Sequence, residues 1–139
     1  MNTSVNVTWD SNLKFVAKLG EKNLVLDTSV DAGGDSAGYG PKSLMMVALA
    51  GCTGMDVISI AKKMQQEVTF FNVRIEAVIV DEHPRKYESM KVIYEFKGEN
   101  LEYEKLQKAV NLSIEKYCGV NANYKDAMKM EYEIQILST

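Results

Sequence analysis

The chain has 139 residues, of which 46% are hydrophobic and 25% are charged, and its formal net charge is −3. This length and composition are typical of one soluble globular domain, so we predict a single domain over residues 1–139. A negative net charge with interleaved acidic and basic residues argues against a nucleic-acid partner, which would need a basic face. The first ten residues do not resemble a secretory signal, and the longest apolar run covers only residues 44–50. We therefore expect a cytoplasmic protein with no membrane partner.

The first thirty residues predict a small antiparallel sheet. Apolar and polar residues alternate from Val5 to Trp9 and again from Leu13 to Leu19, and "GEKN" then separates these segments from "LVLDTS". Alternation with a period of two residues is typical of half-buried strands, and a short polar segment between two such runs is typical of a turn. Three strands are predicted here.

A glycine-rich loop and a long helix follow this sheet. The loop, residues 31–41, contains four glycines and ends at Pro41, a residue suited to the first position of a helix. Apolar residues then recur at helical spacing to about residue 66. Several residues near the middle of this helix are small, which allows another helix or sheet to approach its backbone closely: Ala48, Ala50, Gly51 and Gly54.

The second half of the chain predicts a hairpin, a second main helix and a last strand. Residues 68–83 and 86–98 are rich in strand-forming residues on either side of a His-Pro turn. The spacing of apolar residues predicts a helix from Leu101 to Tyr117, and residues 128–137 form the last predicted strand. The order βββ–α–ββ–α–β indicates an α+β fold with helices packed on antiparallel sheets.

The chain has two cysteines, Cys52 inside the first predicted helix and Cys118 at the expected end of the second. A thiolate is favoured by a helix N-terminus or a nearby cation, so helix position alone would activate neither cysteine. Three interpretations remain open, namely inert packing, redox or nucleophilic chemistry, and metal binding. Two thiols and one histidine without CxxC or HxxH spacing give the least support to a metal site, so we expect no metal and no bound cofactor. A permanent disulfide is disfavoured in a reducing compartment.

Three segments of the sequence resemble the OsmC/Ohr family. They are "GGDSAGYGPKSLMMVALAGCTGMDV", the hairpin "DEHPRKYESMKVIYEFKGENL" and "NLSIEKYCGVNANYKDAMKMEYEI". The hairpin matches the OsmC-like branch that carries a His-Pro turn, and the resemblance covers essentially the whole chain. It implies an intertwined homodimer in which the long central helices pack between sheets built from both chains.

The resemblance also implies a function. Characterised members of the family are thiol-dependent peroxidases that reduce organic hydroperoxides. By this resemblance Cys52 is the peroxidatic thiolate that becomes a sulfenic acid, and Cys118 is the resolving thiol that condenses with it to form a disulfide. An external dithiol, of the dihydrolipoamide kind, would then restore both thiols.

The sequence departs from the family pattern near Cys52. The best-known peroxidases of the family use an Arg to stabilise the thiolate and a Glu at the start of the first helix to orient that Arg, whereas Lys42 stands at the Glu position here. Lys42 is a secondary candidate for the activating cation, although it lies ten residues before Cys52, about 15 Å along a helix, and would reach a thiol only across a dimer. His83 is a second subsidiary candidate, as a base. The alternative function is a non-catalytic dimer of the same fold, associated with stress or binding small apolar ligands.

Overall fold

The computed structural model describes residues 1–138 of the chain, whose contacts divide it into two units, Met1–Met46 and Val47–Thr139. We describe each unit by itself, and the organisation as one domain stays a prediction. The described residues form six strands, which are β1 (Asn6–Ser11), β2 (Lys14–Leu19), β3 (Lys22–Leu26), β4 (Val68–Ile79), β5 (Tyr87–Gly98) and β6 (Lys129–Ile136). They also form three α-helices, α1 (Pro41–Lys63), α2 (Tyr103–Leu112) and α3 (Gly119–Lys125). The α+β fold class predicted from the sequence is confirmed.

The first unit contains the antiparallel sheet β1–β2–β3 that the sequence predicts. A loop follows β3, and the carboxylate of Asp27 organises it by accepting backbone hydrogen bonds from Thr28 (2.8 Å), Ala37 (3.0 Å) and Asp35 (3.2 Å). These donors, with the Ala37 N–H first, hold the pKa of Asp27 below its usual value because they stabilise the charged form. The loop is therefore an ordered segment around one buried carboxylate.

Helix α1 begins at Pro41, as predicted, and ends with Lys62 and Lys63, whose charges suit the negative end of the helix. Its buried residues recur every four positions, which places them on one side: Leu49, Thr53, Val57 and Ala61. By length and composition alone α1 could cross a membrane, but core helices of soluble proteins also meet this criterion. Only 22% of the most apolar 18-residue window of α1 is buried. The chain therefore leaves apolar surface uncovered on α1, including Val47 and Met55.

In the second unit, β4 and β5 form the predicted antiparallel hairpin, in which Val73 pairs with Tyr94. The last strand differs from the expected antiparallel sheet, because β6 runs parallel to β5, with Tyr94 opposite Ile134. A parallel pair needs a long crossover, and the helical segment between Gly98 and Lys129 supplies it. Strand β5 lies at the centre of the sheet and carries much of the core: Met90, Val92, Ile93, Tyr94 and Phe96.

The segment predicted as one helix from Leu101 to Tyr117 is helical from Tyr103 to Tyr117, but its hydrogen-bonding pattern changes after Leu112. Helix α2 ends at Leu112, a π-helical turn spans Ser113–Tyr117, and the additional helix α3 follows. The backbone N–H of Cys118 donates to the Ser113 carbonyl at 2.8 Å, which closes the π-helical turn. The expectation that Cys118 lies at the end of the second helix is confirmed, because Cys118 caps the end of the π-helical turn. Cys118 is also the N-cap residue of α3, a helix that the sequence did not predict.

Candidate functional site

The two cysteines lie 66 residues apart in the sequence and meet in the second unit. Cys52 is half-buried in α1, whereas Cys118 is only 3% exposed, and both are free thiols. Their side chains lie close enough to interact, because the Cys52 thiol helps to raise the pKa of Cys118. The fold thus brings together the two residues that the sequence analysis paired, and their roles stay predictions.

Cys118 is held as a protonated thiol although it lies at a helix N-terminus. Burial is the largest cause, and together with the neighbouring Cys52 thiol and the nearby charge of Asp56 it raises the pKa of Cys118 to about 11. The sulfur also accepts a hydrogen bond from the Asn121 N–H at 3.3 Å, which acts in the opposite direction but is outweighed. The sequence predicts that helix position does not activate Cys118, and in the structure burial is the largest cause that keeps its thiol protonated.

Three buried hydroxyl groups lie beside the cysteine pair; we call Thr53, Tyr94 and Ser113 the hydroxyl cluster. Thr53 Oγ1 lies 2.8 Å from Tyr94 Oη and 2.8 Å from Ser113 Oγ. Ser113 Oγ donates to Asp56 Oδ2 at 2.9 Å. Because each hydroxyl has one proton, Ser113 must accept from Thr53, and Thr53 must accept from Tyr94. The cluster is therefore a directed chain of hydrogen bonds that ends on the Asp56 carboxylate.

A second polar group supports Cys118 from the side of α3. Asn121 is 1% exposed, and its side chain donates to the Ile114 carbonyl at 3.2 Å and accepts from Tyr132 Oη at 2.6 Å. These contacts connect α3 to the π-helical turn and to β6. The segment that carries Cys118 is therefore anchored on both sides of the cysteine.

The two subsidiary candidates lie elsewhere. Lys42 is exposed in the first turn of α1 and belongs to the first unit, whereas the residues around the cysteines belong to the second. His83 is exposed in the turn between β4 and β5. Tyr87, where β5 begins, lies seven residue steps from Tyr94 beside the cysteines, a distance of about 23 Å along the strand. Within residues 1–138, no group of three or more His, Cys, Asp or Glu side chains could hold a metal ion.

The sequence analysis missed the hydroxyl cluster, although a signal for it exists. Thr53 lies four residues after Leu49 and four before Val57, so a hydroxyl residue interrupts the apolar stripe of α1. Ser113 likewise follows Val110 by three residues, on the buried side of α2. A polar residue on a buried stripe needs a hydrogen-bond partner, which predicts a polar contact at that position.

An open cavity of about 510 Å³ lies next to this site in the second unit. Asp56 is in its wall, so the cavity borders the end of the hydrogen-bond chain. The other lining residues combine apolar side chains with two polar ones: Met55, Ser59, Ile60, Lys63, Leu112 and Tyr117. A small, mainly apolar molecule would fit this volume.

Comparisons with known proteins agree with this fold. A family model described as OsmC-like protein matches residues 33–133. Protein YhfA of Escherichia coli K12 is 25% identical over 132 residues, covering 95% of this chain and 96% of YhfA. A hypothetical protein from Aquifex aeolicus VF5 is 28% identical with a TM-score of 0.86, covering 99% and 98% of the two chains. An organic hydroperoxide resistance protein from Elizabethkingia anophelis shares the fold at 11% identity, with a TM-score of 0.72 and 99% of each chain covered.

Proposed function

The chain belongs to the OsmC-like protein family, and we propose that it is a thiol-dependent peroxidase that reduces small organic hydroperoxides. The observation that carries the proposal is the proximity of Cys52 and Cys118, two thiols from distant segments that interact electrostatically. The resemblance of the fold to organic hydroperoxide resistance proteins adds support.

The difference in exposure between the two thiols supports the roles proposed for them. Cys52 is half-buried, and a hydroperoxide reaches it more readily than it reaches the buried Cys118. The Cys52 thiolate attacks one peroxide oxygen, the O–O bond breaks, and the products are a sulfenic acid on Cys52 and an alcohol. Cys118, whose pKa of about 11 keeps it protonated at neutral pH, serves as the resolving thiol.

The second step forms the disulfide. The Cys118 sulfur attacks the Cys52 sulfur, the S–O bond breaks, and the hydroxyl group leaves as water with the thiol proton of Cys118. An external dithiol then exchanges with this disulfide, which regenerates both cysteines and leaves the reductant oxidised. No bound cofactor takes part in this cycle.

We also propose that the protein works as a cytoplasmic homodimer. The uncovered apolar surface of α1, including Met55, supports this assembly. Lys42, which takes the place of the family's Glu, is proposed as a cation that reaches the partner's thiol, and His83 as a subsidiary base.

A non-catalytic role is the second candidate, and the charges near the cysteines favour it. Arg74 pairs with Glu76 at 2.7 Å and with Glu95 at 3.6 Å, so it is engaged on the sheet. Asp56, a negative group, lies near the thiols instead. Under this alternative the cavity beside Asp56 would bind a small apolar ligand without reducing it.

The direct test is consumption of cumene hydroperoxide with a dithiol as reductant. We expect wild-type protein to consume the peroxide, Cys52→Ser to be inactive, and Cys118→Ser to accumulate the Cys52 sulfenic acid, detected as one added oxygen by mass spectrometry. Equal rates for wild type and Cys52→Ser would contradict the peroxidase and favour the non-catalytic dimer. Sedimentation of the wild-type protein tests the dimer separately.

A further inference from the structure

The hydroxyl cluster connects the two segments that carry the cysteines. Thr53 directly follows Cys52 in α1, and its hydroxyl lies 2.8 Å from that of Ser113. The Ser113 carbonyl in turn accepts the backbone N–H of Cys118 at 2.8 Å. One side-chain hydrogen bond and one backbone hydrogen bond therefore join the Cys52 segment of α1 to Cys118.

The burial of this connection makes it rigid. Thr53 is 1% exposed, and Tyr94 and Ser113 are fully buried, so water does not replace a broken hydrogen bond there. Leaving one of these groups without its partner carries the full desolvation penalty of a buried polar group. Asp56 is the final acceptor in this series of hydrogen bonds. It fixes the direction of every bond in the series, because Ser113 donates its only proton to the carboxylate.

From this geometry we infer that Thr53, Ser113 and Asp56 are positioning residues that hold Cys52 and Cys118 close together. The inference rests on the proposed redox role of the cysteine pair. If these residues hold the thiols in place, each thiol has a high effective concentration near the other, because two groups held in bonding orientation react as an intramolecular pair. The cluster does not touch the peroxide; it acts through the position of the two sulfurs.

The experiment measures this effective concentration without peroxide. Protein is equilibrated with mixtures of reduced and oxidised glutathione, in which the two thiols and one oxidised glutathione give one intramolecular disulfide and two reduced glutathione molecules. Thr53→Val removes the hydroxyl but keeps the side-chain shape, Thr53→Ser keeps the hydroxyl, and Thr69→Val makes the same change at an exposed position of β4. Alkylation and mass spectrometry then quantify the disulfide.

We expect the equilibrium constant for disulfide formation to fall about tenfold or more in Thr53→Val. Thr53→Ser and Thr69→Val should stay within about twofold of wild type. An unchanged constant in Thr53→Val would overturn the inference, and so would a wild-type protein that forms no Cys52–Cys118 disulfide in the most oxidising mixture. A wild-type disulfide with the expected variant pattern but no peroxide consumption would contradict only the proposed function.

Variants at Asp56 test the cluster by a second route, because this residue is only half-buried. Asp56→Asn keeps an oxygen that can accept from Ser113, so the disulfide constant should change less than in Asp56→Ala. The loss of the negative charge in both variants should lower the pKa of Cys118, which that charge helps to raise. Equal constants for wild type and Asp56→Ala would overturn the assignment of Asp56. These measurements decide the inference even if Thr53→Val does not fold.

Discussion

The pKa of Cys118 offers a quantitative test of how the site is built, with Cys52→Ser as the perturbation. Burial is the largest cause of the raised value of about 11, compared with an ordinary value of 9.0. At pH 7 this change reduces the thiolate fraction from about one in a hundred to about one in ten thousand. Cys52→Ser removes the neighbouring thiol but leaves the burial unchanged, so we expect the pKa of Cys118 to stay well above 9.0.

The assay is an NMR titration of the variant with ¹³C at the cysteine Cβ, whose chemical shift reports ionisation without interference from the tyrosines. The stability of the protein gives an independent readout. Because the folded state holds the Cys118 proton more tightly than the unfolded state, the free energy of unfolding must fall as pH rises between about 9 and about 11. Cys118→Ser should lack this component of the decline. A titration midpoint at or below 9.0 in Cys52→Ser would refute burial as the cause.

Three further predictions concern the framework around the site. Asp27→Asn should lower the melting temperature at neutral pH. Because the folded state lowers the pKa of Asp27, its carboxylate stabilises the fold above pH 3.8, and this stabilisation is lost as the pH falls through the folded-state pKa. If the stability of the wild type and of the variant depended on pH in the same way, this role of Asp27 would be contradicted. Leu49→Ala should cost about 2–5 kcal/mol in urea unfolding, because Leu49 is fully buried, and a change well under 1 kcal/mol would be inconsistent with that burial. Gly38→Ala should lower the melting temperature, because its added Cβ would clash with the backbone carbonyl of Val25. The control Gly40→Ala, whose Cβ would make only an ordinary contact with Ser43, should have little effect. Equal shifts in melting temperature would argue against the close packing of Gly38 on Val25.

Much of the fold could be predicted from local sequence. The alternation in β1, β2 and β4 and the proline at the start of α1 are short-range signals, and each element appears where those signals predict it. The direction of β6 could not be predicted in the same way. A strand's pattern is the same in parallel and antiparallel pairing, and the direction depends on the crossover that precedes it.

The division of the second predicted helix also lacked a local signal. Helix α3 has seven residues, Gly119–Lys125, which is too short for a clear periodic stripe, and the preceding π-helical turn keeps helix-forming residues. The predicted end at Tyr117 matches the end of the π-helical turn, whereas the start of α3 directly after Cys118 was not predicted. An N-cap cysteine has no strong sequence signature, since Ser, Thr, Asp and Asn are the usual residues there.

The site was predictable in part. The resemblance to the OsmC/Ohr family singled out Cys52 and Cys118, and the fold places them close to each other. The hydroxyl cluster escaped prediction because an isolated Thr or Ser in a helix commonly bonds its own backbone. The contact between Thr53 and Ser113 joins residues 60 positions apart and arises only from tertiary packing.

The position of Cys118 depends on the number of residues in the π-helical turn that precedes it, from Ser113 to Tyr117. Its closing hydrogen bond spans five residues, one more than in an α-helix, and three of those residues have exposed side chains: Glu115, Lys116 and Tyr117. Exchanging one exposed side chain for another leaves that count unchanged. Deleting a single residue would restore α-helical spacing and turn Cys118 away by about 100°, the angle between successive helix residues. Substitutions at these three exposed positions should therefore leave the position of Cys118 unchanged, whereas a change in the length of the turn should move it.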